Sequence, residues 1–169
     1  LGLPYPGGPR LDDLASRGRD DVHAFPISRL GKDSLDFSFS GLKTAMLYAV
    51  QGVPGRDEPR TVADLTEDRR ADLAAGFQRA AVEALMLKVK RAFDRHPCST
   101  LIVGGGVSAN SRLRDALASF ASAKGVDLYL PPMTYCVDNA AMIAGLGHAL
   151  LDAGRVADLT LTPVPTTGC

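Results

Sequence analysis

Twice in its C-terminal third the chain passes from an apolar run through a break into a helix-like segment. Residues 101–110 read LIVGGGVSAN, and residues 127–143 read DLYLPPMTYCVDNAAMI, where a Pro-Pro break precedes Tyr135, Asp138 and Asn139. The pattern predicts a strand over 99–103, a helix over 109–123, a strand over 126–130 and a helix over 138–153. Two strands joined by one helix run parallel. Parallel strands end on the same edge of their sheet, and ligands bind beyond those ends. Residues 104–110 and 135–139 are therefore expected to share one crevice, one loop offering bare backbone and the other a carboxylate.

The upstream residues read differently. Residues 1–10 carry three prolines and three glycines, which makes a rigid turn, with a short helix possible over 11–17. Residues 21–34 are irregular and polar. LDFSFSG at 35–41 alternates Leu35, Phe37 and Phe39 with Asp36, Ser38 and Ser40, the pattern of a half-buried strand. A helix is expected over 42–50. Thr66 followed by Glu67 and Asp68 reads as the start of a long helix reaching about Asp94, with acids at its positive end. Its apolar stripe is Leu73, Phe77, Ala80, Ala84 and Leu87; Pro97 stops it. Three segments result: a turn-rich 1–34, a strand plus a helical hairpin within 35–98, and a β-α-β-α ligand unit over 99–169. The fold class is α/β with a small, mostly parallel sheet. A sheet edge left open would favour pairing between copies.

Composition narrows the function. Nineteen basic side chains cancel nineteen acidic ones, against a free-standing nucleic-acid binder, which carries a basic excess. Cys98, Cys136 and Cys169 are odd in number and widely spaced, which suits a reducing, cytoplasmic setting better than a disulfide framework. No apolar run reaches the roughly 20 residues that span a bilayer. The sequence opens without Met, as a piece of a longer chain would.

Most candidate residues have two readings on spacing alone. Gly104–Gly106 form either a ligand loop or a tight turn; no Walker motif follows them. Asn110 and Asp138 both sit where helix caps sit. Asp12, four residues beyond Gly8, is either a cap or a ligand for sugar hydroxyls. His23, His96 and His148 lie in separate segments and build no metal cage with Asp138. The basic end of the long helix (Lys88, Lys90, Arg91, Arg95) is either solvated or a tRNA contact. Cys136 reads as a buried thiol, and neither a Ser/His/Asp set nor a His-Glu-x-x-His protease motif occurs.

Four strings in order, LGLPYPGGPRLD (1–12), LDFSFSGLKTA (35–45), VGGGVSANSRLR (103–114) and YCVDNAAMIA (135–144), resemble the C-terminal half of the tRNA N6-adenosine threonylcarbamoyltransferase family. That resemblance implies an actin-like, ribonuclease H-like lobe. It implies transfer of threonylcarbamoyl from threonylcarbamoyl-AMP to N6 of adenosine 37 in tRNAs that read codons beginning with A. It further implies Gly8, Asp12 and Asn110 as adenylate contacts, with Gly105 and Gly106 beside the nucleotide. Asp138 would be one ligand of a divalent metal, iron or else zinc. The paired metal histidines belong to the family's N-terminal half, so this polypeptide alone is expected to be inactive. A paralogous dimerisation subunit and a small ATPase are the implied partners. The competing readings are an adenine-nucleotide lobe of a related kinase or chaperone, and a non-catalytic scaffold paralogue.

Overall fold

The structure, a computed structural model, describes residues 1–162. The chain divides into one unit over Leu1–Cys136 and another beginning at Val137. The first holds α1 (Gly7–Ala15), α2 (Ser40–Gln51), α3 (Glu67–Arg95), β1 (Thr100–Ile102), α4 (Ser111–Lys124) and β2 (Asp127–Tyr129); the second holds α5 (Ala140–Asp152). Cys169 lies outside the described residues, as does most of the C-terminal tail expected to be loose.

The 29-residue α3 is the axis of the first unit. Thr66 caps it, its side chain accepting the Arg69 N–H at 3.2 Å. At the other end His96 leaves the helical region, as a residue before proline does. The expected single stripe is too narrow. Three core patches succeed one another along α3, and it is buried on several sides. Ala71, Ala74 and Ala75 meet Leu14 and Ala15 of α1. Leu73 and Ala80 meet Phe25 and the Leu42 and Val50 of α2, which completes the expected helical hairpin. Val82 and Met86 meet Leu113, Leu117 and Phe120 of α4.

The β1–β2 sheet is parallel, in the register Thr100↔Asp127, Leu101↔Leu128 and Ile102↔Tyr129. Leu101 and Leu128 pack inward on the α3–α4 patch. Ile102 and Tyr129 face outward and are 78% and 59% exposed.

Two local expectations change. Residues 35–39 form no strand: among the described residues the sheet holds only β1 and β2, and an alternating segment with no neighbour has no ladder to join. Ser40 already begins α2. At the N-terminus α1 starts at Gly7 rather than near Leu11. Pro9 lies in its first turn, where a missing N–H costs nothing.

In the second unit the side chain of Asn139 caps α5, accepting the Met142 N–H at 3.1 Å. None of the residues of α5 is buried, although Met142, Ile143, Leu146 and Leu151 are apolar. No helix among the described residues is long and apolar enough to cross a membrane.

Candidate functional site

Three helices of the first unit meet at Asp12. Its Oδ1 accepts from Gln78 Nε2 on α3 (2.8 Å), Ser111 Oγ on α4 (2.7 Å) and Asn110 Nδ2 (3.3 Å). Its Oδ2 accepts the Ser111 backbone N–H at 3.0 Å. Asp12 is thus a cap, but for a helix that begins 99 positions later. Asn110 caps the same helix, its Oδ1 accepting the Leu113 N–H at 2.9 Å. Two candidate residues far apart in sequence therefore touch. The contact also fixes the Asn110 carboxamide, and its Nδ2 retains a second N–H, since an amide nitrogen carries two.

The glycines separate into two kinds. A Cβ on Gly18 would lie 2.1 Å from the Ala71 carbonyl oxygen, and one on Gly76 2.7 Å from that of His23, so packing requires both. A Cβ on Gly7, Gly8 or Gly104 would meet nothing within 4 Å. The interior of this chain gives no reason for those bare positions. Gly105 has φ +88°, the left-handed region that favours glycine.

Helix ends also differ. The first turn of α1 follows Pro6, which has no side-chain cap, so its positive pole is open. The positive pole of α4 already faces Asp12 and Asn110. A phosphate at the start of α4, just after the glycine loop, would meet this competing carboxylate, and α1 is the better placed for an anion.

Beside Asp12 is a cavity of about 200 Å³ that reaches Ser16, Gln78, Ser111 and Asp115. The Gln78 side chain is buried, and its Oε1 has no hydrogen-bond donor among the described residues. A larger groove of about 600 Å³ between α3 and α4, floored by Val82, Met86 and Phe120, includes Lys90 in its lining but none of Gly8, Asp12 and Asn110.

At the basic end of α3, Lys90 is exposed and makes no hydrogen bond or ion pair among the described residues, while Lys88, Arg91 and Arg95 are engaged by backbone carbonyls. Lys88 is buried and donates to the carbonyls of Ser34 (2.7 Å) and Arg29 (3.1 Å). Arg91 donates to those of Arg29, Gly31 and Ser34, and Arg95 to that of Asp33. Burial pushes the Lys88 ammonium below its ordinary pKa. These cations hold the 29–34 loop, and Leu30 within it takes φ +47°.

Cys98 and Cys136 form no disulfide among the described residues, the first being exposed and the second buried. Asp138, in the second unit, is exposed and makes no hydrogen bond or ion pair among the described residues; the capping role falls to Asn139. His148 pairs instead with Asp152 at 3.4 Å. No three His, Cys, Asp or Glu side chains gather to hold a metal among the described residues. A tightly held transition metal needs three or four ligands, so the residues present do not by themselves fit one. Sequence reasoning missed Gln78 and Ser111, which show their role only once α1, α3 and α4 are packed.

The model of the family described as tRNA N6-adenosine threonylcarbamoyltransferase matches residues 1–145. A protein of that name from Thermosipho africanus (strain TCF52B) is 40% identical over 165 residues, 98% of this chain and 47% of the relative. The chain thus spans about half the length of the relative it matches. With the match covering most of the sequence, including Gly8, Asp12, Asn110 and Asp138, the chain belongs to the tRNA N6-adenosine threonylcarbamoyltransferase family.

Proposed function

We propose that this chain is the adenylate-holding portion of a threonylcarbamoyl transferase acting on tRNA. The observation that carries the reading is the Asn110–Asp12 contact beside bare glycine backbone at Gly7 and Gly8. The donor is threonylcarbamoyl-AMP, a mixed carbamic–phosphoric anhydride, and the acceptor is N6 of adenosine 37. The amine attacks the carbamoyl carbon and gives up one N–H proton, the bond from that carbon to the phosphate oxygen breaks, and AMP leaves.

Each residue has a part in that exchange. The open positive pole of α1, reached over Gly8, favours the charge that collects on the departing phosphate. Asp12 accepts from a ribose hydroxyl in exchange for the Ser111 hydroxyl, and the unpartnered Gln78 Oε1 offers a second acceptor nearby. The remaining N–H of Asn110 donates to the adenylate in an orientation set by Asp12. Asp138 would supply one carboxylate to a divalent metal, iron or zinc, whose other ligands would come from outside this chain, and such an ion would supply Lewis-acid polarisation of a carbonyl.

In this reading β1 and β2 belong to an actin-like lobe completed by the other half of the enzyme. A paralogous dimerisation subunit and a small ATPase complete the cytoplasmic machinery. To test it, this chain replaces the corresponding half of the Thermosipho africanus relative. The chimera is given threonylcarbamoyl-AMP and unmodified tRNA, and the modified nucleoside is measured by mass spectrometry. Transfer is expected, with loss in Asn110→Ala. A folded chimera that binds threonylcarbamoyl-AMP yet modifies no tRNA contradicts the proposal.

A further inference from the structure

We propose that Arg114 is a positioning residue, setting the glycine loop after β1 and the Pro-Pro loop after β2 at a fixed spacing; the proposal rests on the adenylate reading above. Arg114 lies on the first turns of α4, half-buried. Its Nε donates to the Ser108 carbonyl at 2.7 Å. Its Nη2 donates to the Pro131 carbonyl at 2.6 Å and lies 3.2 Å from Cys136 Sγ. One guanidinium therefore joins two loops that share no strand.

Each end of this bridge is itself built in. Ser108 is buried, and both its backbone N–H and its hydroxyl donate to the Gly105 carbonyl, at 2.9 and 2.6 Å. Holding the Ser108 carbonyl thus holds the turn that carries Gly105 at φ +88°. At the other end Cys136 is buried, its thiol lying 3.6 Å from the Pro132 carbonyl and 3.9 Å from that of Pro131. This loop ends two residues before Asp138 in the sequence. A planar fork with donors in fixed directions suits two carbonyls on different segments, and a lysine ammonium on a flexible stem does not reproduce it. Arg114 touches neither nucleotide nor reacting atoms in this account; it acts through Ser108 and Pro131.

Arg114→Gln and Arg114→Lys, made in the full chain, provide the test, with three readouts. Amide hydrogen exchange followed by mass spectrometry reports on 104–108 and 131–136 separately from the α3 core. Alkylation of Cys136, resolved by peptide from that of the exposed Cys98, reports on the second loop. Calorimetric titration with AMP reports on the site. The expected result is faster exchange in both loops, faster alkylation of Cys136 and AMP affinity weakened roughly tenfold or more, in both variants, with the α3 core unchanged. A uniform rise in exchange across α3, or release of one loop without the other, overturns the positioning role. So does AMP affinity unchanged in variants whose loops are released. A wild-type chain that binds no AMP removes the adenylate reading, and the exchange and alkylation results still decide whether Arg114 couples the loops.

Discussion

Asp12 carries the largest single load among the site residues. Asp12→Ala strips a charged acceptor from Gln78, Asn110 and Ser111 together, and is expected to cost roughly 2–3 kcal/mol in urea unfolding. A loss under about 0.5 kcal/mol would show that these donors find other partners. Two other residues contribute to the response to acid. The Arg19 backbone N–H, 2.7 Å away, is the main cause that holds the Asp72 carboxyl below its ordinary 3.8. Its stabilisation is present above that value and is lost as pH falls through the lower, folded value. Burial, and then Arg69, lowers His23 from 6.5, so its neutral form is favoured in the folded state. That stabilisation is present above 6.5 and is likewise lost on acidification through the folded value. Urea midpoints should fall in two pH windows, with His23→Gln flattening the upper and Asp72→Asn making the lower shallower, where Asp64 and Asp158 also contribute. Identical pH profiles for wild type and both variants would refute the assignment. Little of this could be read from the sequence. Local spacing left Asp12 open between cap and ligand, because its partner helix starts 99 residues away.

Elements were more legible where the signal is local. Thr66 with two acids behind it, and Asn110 before an apolar run, mark their helix starts through bonds three residues long, whereas at α5 the cap expected at Asp138 falls one residue later, at Asn139. The 35–41 segment was misread because alternation reports a face to bury, while a strand also needs a neighbour to pair with. The width of the buried surface on α3 was underestimated for a related reason: a stripe is read against one partner, and α3 has several. The glycines offer a test at this scale. Gly18→Ala and Gly76→Ala force a methyl into backbone oxygens and should each cost about 1–3 kcal/mol or more. Gly8→Ala lies in a helix with open space around its Cβ and should leave stability unchanged or raise it by up to about 1 kcal/mol. The same change should weaken AMP binding. Undiminished AMP affinity in Gly8→Ala would mean that the bare backbone there serves no ligand.

Over the whole molecule, apolar surface is left uncovered in each unit considered separately. Ile102 and Tyr129 form the outer face of the short sheet, and α5 has no buried residue. Patches of this kind mark interaction sites. Light scattering should show concentration-dependent association of this chain, reduced by Ile102→Lys; a monomer at every concentration would contradict that. The α/β class and the β-α-β order were legible because alternating apolar runs and helix starts are local signals. The proposed metal position is harder to read, since Asp138 offers one exposed carboxylate and no three His, Cys, Asp or Glu side chains gather among the described residues. On the proposed function, the corner joining Gly8, Asp12 and Asn110 holds an adenylate. Titrating the ¹⁵N-labelled chain with AMP and following every backbone amide by NMR tests it most directly. Shifts centred on Gly7, Gly8 and 104–111, abolished in Asn110→Ala, are expected. Shifts confined to the groove between α3 and α4, or none at millimolar AMP, would contradict it.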